Sequence, residues 1–170
     1  MDATLRDLLH DLGSDNGMER KRARETVVLV GDPAAPHVRS LLGSGDKKLR
    51  WEAAKTLAAM VDPSSLPVLI DLLRDHESDL RWIAADGLIA LGPRVVVPLL
   101  ESLLAAPPVK GQGEMAARVL RKLAADNDVL AGIVAPVVDV LKEPDPVVLQ
   151  PRVSQALSDL SRVTGELPEL

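Results

Sequence analysis

Apolar residues recur along this chain at helical spacing, in blocks that repeat. Leu80, Ala84, Ala85, Leu88 and Leu91 fall on one face of a helix that turns about 100° per residue. Gly92 closes that helix, and Ser78 or Asp79 is placed to cap its start. A second apolar stripe follows at Val96, Leu99, Leu100, Leu103 and Leu104, and the preceding block repeats it at Leu66, Leu69, Ile70, Leu72 and Leu73. The pattern predicts a helix over 3–12, helix pairs over 16–43, 47–75, 79–106 and 112–142, and a long last helix over 146–163.

The blocks are copies of one unit. Aligning Ala23, Ala53, Ala84 and Ala116 gives steps of 30, 31 and 32 residues, a period that marks stacked helical repeats sharing a continuous core. Prolines keep the same register. Asp32-Pro33 and Asp62-Pro63 read as a cap followed by proline at the first helical position, and a further proline recurs at 36, 67 and 98. In the second and third units it falls beyond the first turn, so the helix there starts late or bends. The stretch around Pro107-Pro108, Lys110, Gly111 and Gly113 breaks the rhythm and predicts a fourth unit out of step with the first three. The chain is expected to form one repeat domain over 1–170, with the single helices at its ends acting as caps.

The repeat resembles the HEAT-like repeats of the phycobilin lyase group, V-R-x-x-A-A-x-A-L-G-x-x-G-D-P. The motif's Arg falls on Arg20, Arg50 and Arg81, its Ala pair on Ala53-Ala54 and Ala84-Ala85, and its closing Gly on Gly31 and Gly92. Gly113 and Gln150 stand where the fourth and fifth units should carry Arg. The resemblance implies an all-α, right-handed α-solenoid of about four to five HEAT-like helix pairs. It also implies that the motif helix lines the concave side with its three x positions pointing outward. Those positions are Lys21, Arg22 and Glu25, then Trp51, Glu52 and Lys55, then Trp82, Ile83 and Asp86, then Glu114, Met115 and Arg118, and less securely Pro151, Arg152 and Gln155.

The chain's only aromatics, Trp51 and Trp82, hold the same motif position one repeat apart. Trp82 lies about 140° from the centre of its core stripe at about 100° per residue. Two readings stand side by side: the rings form an apolar platform for recognition, or each folds down over the Ala-rich seam of its neighbour. The regularly spaced arginines read as structural, gripping carbonyls or an acid of the preceding unit.

Composition narrows the function classes. A net charge of −5 and a pI near 5.2 work against general nucleic-acid binding. With no cysteine there is no disulfide or thiolate metal site, which fits a cytoplasmic chain. His10, His37 and His76 share no metal-binding spacing, so no metal or cofactor is expected. No apolar run is long enough for a membrane span, and the acidic N-terminal segment lacks the form of a signal peptide. Richness in Ala, Val, Leu and Arg points to a bacterial, high-GC coding sequence. No nucleophile motif or phosphate-cradling loop is present.

The leading expectation is a non-enzymatic protein-interaction module or scaffold that grips a helix or extended segment of another protein. Its candidate contacts are Trp51, Glu52, Lys55, Trp82, Ile83, Asp86, Glu114, Met115 and Arg118. Two alternatives follow from resemblance. Trp82, Asp86 and Arg118 could form the concave Trp, Asp and Arg constellation of the alkylpurine DNA glycosylases, and the repeat group itself implies a bilin lyase or chaperone.

Overall fold

The computed structural model describes residues 3–109 and 111–163; Lys110 and the two chain ends, at 1–2 and 164–170, lie outside the described residues. Among the described residues ten α-helices follow one another: α1 (Ala3–Asp11), α2 (Gly17–Val30), α3 (Ala35–Leu41), α4 (Lys47–Met60), α5 (Leu66–Leu72), α6 (Ser78–Leu91), α7 (Val96–Ala105), α8 (Gly113–Leu123), α9 (Asp128–Val140) and α10 (Pro146–Val163). The helices alternate in the expected repeat, a first helix of 14 residues followed by a shorter second one in three units, and a first helix of 11 residues followed by one of 13 in the fourth.

Helix ends are set by local chemistry. Asn16 accepts from the Met18 amide at 2.9 Å, Asp46 from Lys48 at 2.9 Å, and Asn127 from Leu130 at 2.9 Å, each satisfying a first-turn N–H that no helical carbonyl can reach. Neither Ser78 nor Asp79 caps α6. Its cap position is Glu77, whose amide donates to the Asp75 carboxylate at 2.8 Å. The recurrent proline acts as a late starter: 3₁₀ turns at Pro63–Ser65 and Pro93–Val95 precede α5 and α7, so Pro67 and Pro98 sit in the first turn, where no amide is needed.

The first helices stack in one row, α2 on α4, α4 on α6 and α6 on α8. Each second helix leans on the first helix of the next unit, α3 on α4 and α5 on α6. Ala23, Ala53, Ala84 and Ala116 are all buried along this seam, with Leu57, Leu88, Leu99 and Leu120 filling the core beside them. Each fully buried leucine contributes roughly 1.5–3 kcal/mol. Small residues let the row close up: a Cβ on Gly87 would sit 2.9 Å from the Ala58 Cβ and 3.2 Å from Leu69 Cδ1.

The arginines hold the stack. Arg20 Nη1 donates to the carbonyls of Ser14 and Asp15 at 2.7 and 3.0 Å, and Arg81 Nη1 does the same to Asp75 and His76 at 2.8 and 3.1 Å. Each grips the turn leading out of the previous helix. Arg50 instead reaches forward to Asp75 at 2.8 Å and Glu77 at 3.2 Å.

Gly113 stands where the fourth arginine would be because α9 returns against the start of α8; a Cβ there would meet the Leu141 carbonyl oxygen at 2.3 Å. α7 then packs mainly on α10, which also packs on α9, and only lightly on α8. Pro151, Arg152 and Gln155 are exposed, but on a helix whose packing partners are α7 and α9; they do not extend the row of first helices.

Candidate functional site

The outward column of the first row is built by two motif positions per helix, four residues apart and therefore on one face. Lys21 and Glu25 on α2, Trp51 and Lys55 on α4, Trp82 and Asp86 on α6, and Glu114 and Arg118 on α8 make up that column. Lys21, Glu25, Trp82, Asp86 and Glu114 are exposed; Trp51, Lys55 and Arg118 are half-buried.

The third motif position behaves differently, which corrects two of the expected contacts. Glu52 is 3% exposed and Met115 8% exposed, so neither is available to a partner, while Ile83 is half-buried and packs on the core. The reason is rotational. This position is one residue, about 100°, around the helix from the tryptophans, and on α4 and α8 that step carries the side chain into the seam between neighbouring helices, while the equivalent Arg22 on α2 stays exposed. Glu52 uses the seam to bind two guanidiniums of α2, with Arg20 Nε donating at 3.2 Å and Arg24 Nη1 donating to the other carboxylate oxygen. Arg24, one turn beyond Arg20, was not singled out by the repeat motif. Its i,i+4 relation to Arg20 opposite an acid was the available signal.

Each tryptophan carries a cation on its ring. Lys55 Nζ lies 4.0 Å from the Trp51 ring centre, supplied by the same helix one turn on. The Arg118 guanidinium carbon lies 4.6 Å from the Trp82 ring centre, supplied by the next helix in the row. Such pairs are worth about 0.5–2 kcal/mol, depending on desolvation. Arg118 also meets Asp86 at 2.7 Å, so Trp82, Asp86 and Arg118 do come together. They form a clasp between α6 and α8 in which the carboxylate already faces a cation.

Lys55 has no such carboxylate. Among the described residues none pairs with its ammonium: Glu52 is taken by Arg20 and Arg24, and Glu25 lies 3.8 Å from Lys21. Burial, then the charge of Arg24, push the Lys55 pKa below its ordinary 10.5; Glu52 pulls the other way, and Arg20 adds a smaller push downward.

Other polar clusters serve the fold. Asp62 accepts from the Ser64 amide at 2.9 Å and from the hydroxyls of Ser64 and Ser65, and Arg39 approaches it at 3.4 Å. Burial alone would raise the Asp62 pKa, but these hydrogen bonds and the Arg39 charge hold it below the usual carboxylate value. Asp75, His76 and Glu77 bring three potential metal-ligand atoms within 4.8 Å of one another, yet Arg50 and Lys47 engage the two carboxylates. His10 and His37 line an open groove of about 550 Å³ together with Leu9, Leu41 and Leu49. No helix among the described residues is long and apolar enough to cross a membrane.

A family model of HEAT repeats matches residues 35–121, just over half of the chain. A solved structure, the complex of CpcE and CpcF of phycocyanin lyase from Nostoc sp. PCC7120, is similar with a TM-score of 0.62 and 25% identity, over 91% of this chain and 98% of that one. No curated protein matches the chain by sequence.

Proposed function

Because the chain belongs to the HEAT-repeat family, we propose that it is a non-enzymatic protein-interaction module that holds a segment of another protein along the outward column of its first helices. The observation that carries this reading is Trp82, 49% exposed in the middle of that column. A large indole left in water on a rigid helix, flanked by the Trp51 platform and a rim of Lys21, Glu25, Asp86 and Glu114, matches the anatomy of an interface, with an aromatic anchor inside a charged border. The similar solved structure is itself a complex of two proteins, which supports a protein partner.

Affinity capture from the native cell extract tests it, run in parallel with the wild-type chain and the Trp51→Ala/Trp82→Ala double variant. A protein retained by wild type and lost by the variant is the expected result. For that protein, Trp82→Ala alone should weaken binding by more than about 2 kcal/mol while far-UV circular dichroism stays unchanged. Equal capture by both chains would move the binding face elsewhere.

The likeness to a phycocyanin lyase complex favours one second reading, a lyase or chaperone for an open-chain tetrapyrrole. Mixing the chain with such a pigment and following its absorbance tests that directly; an unchanged spectrum removes it. The Trp82, Asp86 and Arg118 clasp gives less support to a glycosylase-like reading, because Arg118 engages the Asp86 carboxylate and lies over the indole.

A further inference from the structure

The repeat supplies an internal control for its own surface. At Trp82 the residue one turn on is an acid, Asp86, which pairs with Arg118 of the next helix and brings that guanidinium over the ring. At Trp51 the residue one turn on is a cation, Lys55, which lies over the ring by itself. One repeat thus holds tryptophan, cation and carboxylate together, and its neighbour holds tryptophan and cation alone.

The surroundings sharpen the contrast. The charges that act on Lys55 are Arg24 and Arg20 against Glu52, with Lys21 and Arg22 exposed on α2 beside Glu25, on a molecule whose net charge is −5. Both of those carboxylates are engaged elsewhere, Glu52 by two arginines and Glu25 by Lys21. The Lys55 ammonium is half-buried over an aromatic face with cations behind it. A carboxylate arriving from outside would meet a partly desolvated ammonium, where charge-assisted bonds are strongest.

We propose that Trp51 and Lys55 form a receptor for a glutamate or aspartate carried on an amphipathic helix of the partner protein, the partner's acid taking at Trp51 the place that Asp86 takes at Trp82. This rests on the outward column being the partner surface. A helix fits the spacing: the two tryptophans are one repeat apart, about 10 Å for packed helices, and side chains at i and i+7 of a helix are about 10.5 Å apart along its axis. Two apolar side chains of the partner would cover the two indoles, and an acid beside the first would reach Lys55. Lys21 and Arg22, both exposed, add long-range attraction and make the association salt-dependent.

The test uses three synthetic amphipathic helices with apolar side chains at i and i+7 that differ at one residue, Glu, Gln or Lys, beside the first apolar position. Binding to the full chain is followed by fluorescence anisotropy. Wild type should prefer the Glu helix over the Gln helix by about tenfold. Lys55→Met should bring the two to parity, Lys55→Glu should transfer the preference to the Lys helix, and Arg118→Ala should leave the preference in place. Equal binding of the Glu and Gln helices by wild type, with Trp51→Ala weakening both, overturns the acid receptor and leaves the column intact. Binding that neither Trp51→Ala nor Trp82→Ala changes overturns the column as well. No binding of the Glu helix up to about 1 mM overturns the acid receptor, and the capture experiment then decides the column independently.

Discussion

Trp51 and Trp82 share a motif position, a helix face and a row, yet the molecule treats them differently. Trp51 is half-buried under a lysine of its own helix, while Trp82 is exposed and held by an arginine from the next one. The difference follows the alternation of sign one turn along, Lys55, Asp86 and Arg118 in successive units: Trp51 has a cation on its own helix, and Trp82 has an acid on its own helix and a cation on the next. A repeat places backbones equivalently, but the environment of a surface side chain depends on its neighbours in the adjoining unit. Here that dependence produces one clasp closed within the chain and one cation without a carboxylate of its own.

The largest way to break the comparison lies beneath Trp51. Glu52→Ala should cost about 3–5 kcal/mol in urea unfolding, because it leaves Arg20 and Arg24 facing each other without their shared carboxylate. Gly113→Arg, which would restore the repeat's arginine, should destabilise by more than about 2 kcal/mol instead of strengthening the stack, since the Leu141 carbonyl fills that space. A thermal melt decides this, and a raised Tm would refute the packing account of the fourth unit.

The two clasps themselves should respond unequally. Arg118→Ala should lose about 1–2 kcal/mol through the ring contact and the Asp86 pair. Lys55→Met should change stability by less, because losing the ring contact is offset by no longer burying a charge. Its folded pKa lies below the ordinary 10.5, so the charged form burdens the native state at neutral pH. In that window the unfolded chain binds the proton more tightly, so the Lys55 contribution to stability should rise with pH from the lowered folded value up to about 10.5, and Lys55→Met should lack this rise. Parallel stability curves against pH for the two proteins would contradict it.

A further effect concerns the joint that follows Trp51. The chain leaves α2 and α6 through Gly31 and Gly92 with φ of 71° and 80°, but leaves α4 through Val61 with φ of 50°. A β-branched residue is disfavoured in that left-handed region, and Val61→Gly should stabilise by about 1 kcal/mol, measurable as a higher urea midpoint.

Much of this was legible from residue order. The buried alanine column, the glycine exits at 31 and 92 and the carbonyl-gripping arginines all follow from local spacing, because each acts within one unit or on the turn beside it. What could not be read depends on rotation between units. The motif spacing placed Glu52 and Met115 outward, and only the closeness of the neighbouring helix turns them into the seam. Likewise, nothing in the α10 sequence states that it packs on α7 and α9, a placement set when the start of α8 is covered by the end of α9.

The most direct test of the partner surface uses the fact that the chain has two tryptophans and no other aromatic residue. Each indole N–H gives its own proton–nitrogen correlation signal, one per repeat, and assignment needs only the two single Trp variants. On titration with the captured partner, both indole signals should shift and saturate together. Both staying fixed while backbone signals elsewhere move would contradict the account.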